Sequence, residues 1–168
     1  IGKRTIFNLL GPMSNPARTK KMLVGVCDDD WRSLMSEAFN RLNAKHVWVV
    51  HGQDGLDEIT TTGLTNISEV KDGEIRSFTL DPREFDIKIV DLEKLKGGNP
   101  EKNAAALMNL LDGIKGPYRD IVRLNAGVSL MISGISENIE TGIEIATDCI
   151  DSGAAKDTLQ KLVKISNE

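Results

Sequence analysis

The sequence predicts an α/β fold with a central parallel sheet, an antiparallel hairpin that extends it, and flanking helices. Three observations carry that reading. Two short apolar, β-branched runs, residues 22–26 and 46–50, are separated by a segment of helical period. The pattern then switches to alternation on either side of an Asp72-Gly73 turn. The last third of the chain recurs at helical spacing throughout.

Each element follows in order. Residues 22–26 read as a buried strand, because a continuous apolar run is buried on both faces. Asp28, Asp29 and Asp30 come next, and carboxylates favour a helix N-terminus through capping and the helix dipole. Leu34, Met35, Ala38, Phe39 and Leu42 then recur at helical spacing, predicting a helix over residues 30–43. A second buried strand covers residues 46–51. Strand, helix, strand at this spacing is a βαβ unit with parallel strands and a right-handed crossover. Residues 66–70 and 74–80 alternate around Lys71-Asp72-Gly73, the signature of an antiparallel hairpin.

Asp81-Pro82 ends the hairpin, and residues 84–89 read as irregular. Asn99 supplies an N-cap and Pro100 the first helical position. Ala104, Leu107, Leu110 and Leu111 make that helix amphipathic up to Gly113. From Tyr118 to about Ser133 little polar face remains, which predicts a buried helix. Asn125 in its middle is then a buried amide in need of partners. Two further helices, residues 136–152 and 154–166, are divided at Gly153. With no internal repeat or linker, one compact domain is expected.

The 168 residues, 40% hydrophobic and 27% charged, suit a globular chain with a real core. A net charge of -4 disfavours a binder of phosphate backbones, which carries a basic excess. No apolar stretch approaches the roughly 18–20 residues of a bilayer span. The opening Ile1-Gly2-Lys3-Arg4 lacks the apolar run of a secretory signal and reads as a cut end. Cys27 and Cys149 stand far apart in apolar neighbourhoods, with no CxxC pair and no zinc spacing. They are expected as buried, reduced thiols of a cytoplasmic protein.

The most informative segment follows the second strand: His51-Gly52-Gln53-Asp54-Gly55-Leu56-Asp57-Glu58-Ile59. Ligands of open α/β sheets bind outside the carboxyl ends of parallel strands. Adjacent Asp57 and Glu58 are hard oxygen ligands suited to Mg²⁺, which takes one or two carboxylates plus substrate phosphates. On spacing alone the segment reads first as an acidic surface turn with ordinary capping carboxylates. A second candidate is the stretch from Arg4 to Pro16, whose Gly, Pro and Asn residues suggest a shaped loop without chemistry of its own.

Arg4-Thr5-Ile6-Phe7-Asn8-Leu9-Leu10-Gly11-Pro12, Asn15-Pro16, His51-Gly52 and Asp54-Gly55-Leu56-Asp57-Glu58 resemble the anthranilate phosphoribosyltransferases of tryptophan biosynthesis. Gly97-Gly98, Asn103-Ala104, Lys115-Gly116-Pro117, Leu124-Asn125-Ala126 and Asp151-Ser152-Gly153-Ala154-Ala155 extend the resemblance in family order over essentially the whole chain. Met13-Ser14 departs from the usual Leu-Thr, and Asn99 stands where an acidic residue is common.

The resemblance implies the catalytic-domain type shared by nucleoside phosphorylases and phosphoribosyltransferases, here incomplete. It implies transfer of phosphoribose from phosphoribosyl pyrophosphate to anthranilate, with release of pyrophosphate. It assigns Mg²⁺ to Asp57 and Glu58, and no catalytic side chain to this part. An N-terminal helical domain, through which the family forms homodimers, and a glycine-rich phosphate loop would lie upstream, so residues 1–168 alone are expected to be inactive. Rival readings are a nucleoside phosphorylase-like enzyme, a nucleic-acid-binding paralogue and a non-catalytic partner-binding domain. The first motif and the carboxylate pair oppose the first rival, and the negative charge opposes the second.

Overall fold

The computed structural model describes residues 7–168, with the side chains of residues 7–9 left aside; Arg4, Thr5 and Ile6 of the first motif lie outside it. The chain divides into two compact units, the first ending at Asp81 and the second running Pro82–Glu168, where the sequence suggested one.

In the first unit, helix α1 (Phe7–Met13) replaces the loop expected from composition. Pro12 falls in its last turn, and Ser14 N–H closes the end on the Leu10 carbonyl at 2.9 Å. Strand β1 (Lys21–Gly25), helix α2 (Asp30–Arg41) and strand β2 (His46–Gly52) form the predicted βαβ unit. Strands β3 (Thr65–Lys71) and β4 (Glu74–Leu80) follow, joined by Asp72 and Gly73 at positive φ of 49° and 91°. Two positive φ values in a two-residue turn match the twist of the flanking strands. The sheet order is β1-β2-β3-β4. The β1/β2 pair is parallel and the other two pairs are antiparallel, so the sheet is mixed.

Val24, Val26, Val47, Val49 and Val70 on the sheet pack with Met35 and Phe39 of α2 and with Ala44. The other β2 face carries a buried polar ladder. Glu69 of β3 is 2% exposed and accepts from His46 Nε2 at 2.7 Å, Trp48 Nε1 at 2.9 Å and Arg76 Nε. Three donors make burial of that charge tolerable.

The second unit opens with 3₁₀ turns at Pro82–Phe85 and Leu92–Lys94, the former running into the start of the stretch expected to be irregular. Helices α3 (Pro100–Leu111), α4 (Pro117–Ser133), α5 (Ile139–Asp151) and α6 (Ala154–Ser166) complete it. Asn99 caps α3 as predicted, accepting from Lys102 N–H at 2.9 Å. Asn103 gives the Gly97-Gly98 motif its reason. Its Oδ1 accepts from Gly98 N–H at 2.7 Å and its Nδ2 donates to the Gly98 carbonyl at 3.1 Å. Asn103→Ala is therefore expected to cost about 1 kcal/mol, a fall in Tm of roughly 2–4 °C by calorimetry.

Helix α4 is buried on one face only, along Ile121, Leu124, Val128 and Ile132, which corrects the all-round burial expected. Val122, Ala126, Leu130 and Met131 are half-buried. Asn125 is likewise half-buried, and its Nδ2 donates to the Ile121 carbonyl one turn back at 2.9 Å. A local bond of this kind lets an amide sit beside apolar neighbours without deep burial. Arg119, unremarkable in the sequence, is 4% exposed, bonding the Gly113 carbonyl at 2.6 Å and Asp151 at 2.7 Å. Both cysteines are free but exposed, a second correction. Cys27 lies one residue beyond the buried Val26, and Cys149 steps off the stripe made by Ile143, Ala146 and Ile150. No helix among the described residues is long and apolar enough to cross a membrane.

Candidate functional site

The site is built at the carboxyl end of the parallel pair. Val26 N–H continues the β1/β2 pairing onto the Val50 carbonyl at 2.9 Å. His51 Nδ1 lies 2.8 Å from the Val26 carbonyl, which makes Nδ1 the protonated nitrogen. The chain then leaves β2 in a loop closed by Gly52 N–H on the Leu56 carbonyl at 2.8 Å and by Gln53 N–H on the Leu64 carbonyl at 2.9 Å.

Asp54 braces this loop from within. It accepts from Thr60 Oγ1 at 2.6 Å, from Thr62 Oγ1, and from Leu56 N–H at 3.1 Å. Ile59, Thr60, Thr61 and Thr65 are fully buried beneath it. Gly25, at the end of β1, faces the same loop so closely that a methyl group there would land on the Asp57 carbonyl oxygen. The loop thus rests on the strand end, backbone against backbone. Asp57 and Glu58 are exposed on it.

The electrostatics separate Asp54 from Glu58. Burial acts to raise Asp54, but the two threonine hydroxyls and the Leu56 N–H outweigh it and hold the group below its ordinary range. Glu58 is pushed upward, by partial burial first and then by the negative charges of Asp57 and Asp54. Asp54 is therefore a brace, while Asp57 and Glu58 present crowded negative charge to the outside. The sequence left Asp54 undistinguished among three neighbouring carboxylates. The run Thr60-Thr61-Thr62 was the available signal, since hydroxyls six and eight residues on can reach back to it.

The aspartates after β1 behave differently from the capping expected. Asp28 Oδ1 accepts from Asp30 N–H at 3.1 Å, but Asp29 makes no side-chain cap and pairs with Arg32 at 2.7 Å. Arg32 in turn reaches Ser68 Oγ at 2.6 Å, tying α2 to β3.

Acid should act on the first unit through Asp54, Glu69 and Asp29, the last held low first by its bond from Arg32. For Glu69 too, burial acts upward but donation by Arg76, Trp48 and His46 prevails, so its pKa is lowered. A group lowered on folding contributes stability that is full above its unfolded pKa and is lost as pH falls through its folded value. The urea midpoint should accordingly be flat from pH 7 to about 5 and fall below about pH 4. Asp54→Asn should shrink that acid slope, and an unchanged slope would remove the brace from the account.

Residues 1–156 match the family model described as "Glycosyl transferase family, a/b domain". The anthranilate phosphoribosyltransferase of Rhodospirillum rubrum is 49% identical over 165 residues, covering 98% of this chain and 48% of that protein. That of Parvibaculum lavamentivorans is 48% identical over 167 residues, covering 99% and 49%. Among solved structures, the anthranilate phosphoribosyltransferase of Thermus thermophilus superposes with a TM-score of 0.89 at 39% identity, covering 99% of this chain and 49% of that one. The Saccharomyces cerevisiae enzyme in complex with PRPP and Mg gives 0.84 at 27% identity, covering 95% and 46%. The chain spans about half the length of the curated relatives it matches.

Proposed function

Because residues 1–156 match its α/β-domain model, the chain belongs to the glycosyl transferase family, and from that premise we propose that it is the metal-carboxylate part of an anthranilate phosphoribosyltransferase. The reaction joins the anthranilate amine to the anomeric carbon of phosphoribosyl pyrophosphate as pyrophosphate leaves. The observation that most supports this reading is the braced loop at the carboxyl end of β1 and β2, with Asp57 and Glu58 exposed on it.

The donor set fits Mg²⁺. Among the described residues no group of three or more His, Cys, Asp or Glu could hold an ion by itself. Two carboxylates without a third are what Mg²⁺ uses when waters and substrate phosphates complete its shell. Glu58, pushed upward first by burial, is pushed further by the charges of Asp57 and Asp54, a like-charge contribution that a cation would relieve. Asp57 and Glu58 would hold the ion, and Asp54 would set the loop that carries them. When bound, the ion supplies neutralisation of the charge on the departing pyrophosphate.

The relatives' greater length makes the remaining contacts to both substrates, and the homodimer, properties of the full-length cytoplasmic enzyme in this reading. The 168-residue chain alone binds Mg²⁺ weakly and does not turn over. Calorimetric titration of the chain with Mg²⁺, with and without phosphoribosyl pyrophosphate, tests the assignment. Weak binding that disappears in Asp57→Asn/Glu58→Gln is expected. Binding indifferent to both substitutions would place the ion elsewhere.

A further inference from the structure

Where the parallel pair ends, a side chain takes over one bond of the ladder. In a parallel ladder, a residue donates to one carbonyl of the facing strand and accepts from the N–H two residues further along it. Val26 N–H donates to the Val50 carbonyl at 2.9 Å, so the ladder would bring Gly52 N–H to the Val26 carbonyl. Gly52 N–H goes instead to the Leu56 carbonyl at 2.8 Å and closes the loop that carries Asp57 and Glu58. The Val26 carbonyl accepts from His51 Nδ1 at 2.8 Å in its place.

This exchange sits at the root of the loop. The Gly52 carbonyl accepts from Gly55 N–H at 2.8 Å, so both backbone groups of Gly52 are committed to the turn. On one side Gln53 ties the root toward β3, through its N–H on the Leu64 carbonyl at 2.9 Å and its Nε2 on Asn66 Oδ1 at 3.2 Å. On the other side His51 holds Val26, the residue after the Gly25 on which the Asp57 carbonyl rests. His46, the other of the chain's two histidines, presents the opposite ring nitrogen, Nε2, to Glu69 at 2.7 Å.

We propose that His51 is a positioning residue for the metal carboxylates: its Nδ1 replaces the lost ladder donor, which frees Gly52 N–H to close the loop and sets Asp57 and Glu58 at the end of β1. The inference rests on the reading that those two carboxylates hold Mg²⁺, and adds that the Nδ1 edge of the ring is the part required. Asparagine, whose amide nitrogen falls near the place of Nδ1, should therefore serve at this position. Glutamine, whose amide nitrogen falls near that of Nε2, should not.

Long-range ¹H–¹⁵N spectra of the imidazoles at about pH 8.5, where histidine is neutral, read the tautomers directly. Nδ1–H is expected for His51 and Nε2–H for His46, with His51→Asn identifying the ring that disappears. Mn²⁺, which shares the oxygen preference of Mg²⁺, is the metal probe, followed by broadening of the Asp57 and Glu58 amide signals in the ¹⁵N-labelled chain. His51→Asn should respond at the parent's Mn²⁺ concentration. His51→Gln should require about tenfold more, the lower end of what groups behind metal ligands contribute. An Nε2–H tautomer for His51 would overturn the proposal without recourse to any variant. So would equal Mn²⁺ affinity in the parent and His51→Gln, or a His51→Asn as weak as His51→Gln. Broadening absent from Asp57 and Glu58 in the parent would instead refute the metal reading itself, and the proposal with it.

Discussion

Asp57→Asn combined with Glu58→Gln is expected to reduce phosphoribosyl-anthranilate formation by roughly 10³-fold, since each 1.36 kcal/mol of lost transition-state stabilisation is about tenfold. The assay requires a form extended to the length of the relatives, for example by fusion to the complementary part of the Rhodospirillum rubrum protein. Loss of anthranilate fluorescence at saturating Mg²⁺ follows turnover. The fold should be indifferent: both residues are exposed, and Glu58→Gln removes a group that burial and two neighbouring charges disfavour. Glu58→Gln alone should leave the urea midpoint equal or slightly higher at neutral pH. Near-normal turnover in the double variant would dissociate this loop from the reaction.

Gly25→Ala is the second large effect, and it acts on both stability and turnover. The added methyl would coincide with the Asp57 carbonyl oxygen, and backbone cannot swing aside as a long side chain can. Either β1 or the loop must move, at a cost of about 2–3 kcal/mol for forced overpacking. Displacing the loop by about 1 Å should reduce turnover of the extended form by roughly 10²-fold, because the carboxylates proposed to hold the metal lose their alignment. Gly63→Ala is the control, since nothing lies within 4 Å of a methyl there. A Gly25→Ala midpoint equal to that of Gly63→Ala would show that the loop does not rest on the strand end.

The sheet was legible in the sequence because its determinants are local. Continuous apolar runs at β1 and β2, alternation at β3 and β4, and the Asp72-Gly73 turn are read within a few residues of one another. The cap at Asn99 was legible for the same reason. What escaped depends on partners distant along the chain. Glu69 sits in an alternating strand and could have faced solvent; only the 21 and 23 residues of separation closed by Trp48 and His46 make it a buried acceptor. Arg119 was hidden likewise, since Asp151 stands at the far end of the next helix. The exposure of Cys27 and Cys149 followed from strand ends and helix phase, which composition does not resolve. In the candidate site, the crowding of Asp57 and Glu58 was visible but read as an acidic turn until the resemblance singled the pair out, whereas the bracing role of Asp54 needed the loop's return path.

The acceptor built around Glu69 also gives the chain an optical gauge. Of its two tryptophans, Trp31 is 41% exposed and Trp48 is 4% exposed with its indole N–H on Glu69. The Phe78 ring meets Trp48 edge-on at 5.2 Å between centroids. Trp48 should therefore emit at shorter wavelength than Trp31, and red-edge excitation should select the latter. Protonating Glu69 withdraws the charge that polarises the Trp48 indole, so its emission should shift in acid before the strands separate. Iodide quenching, which reaches Trp31 but not Trp48, resolves the two signals, and the hairpin side of the sheet can be followed by light alone without any label.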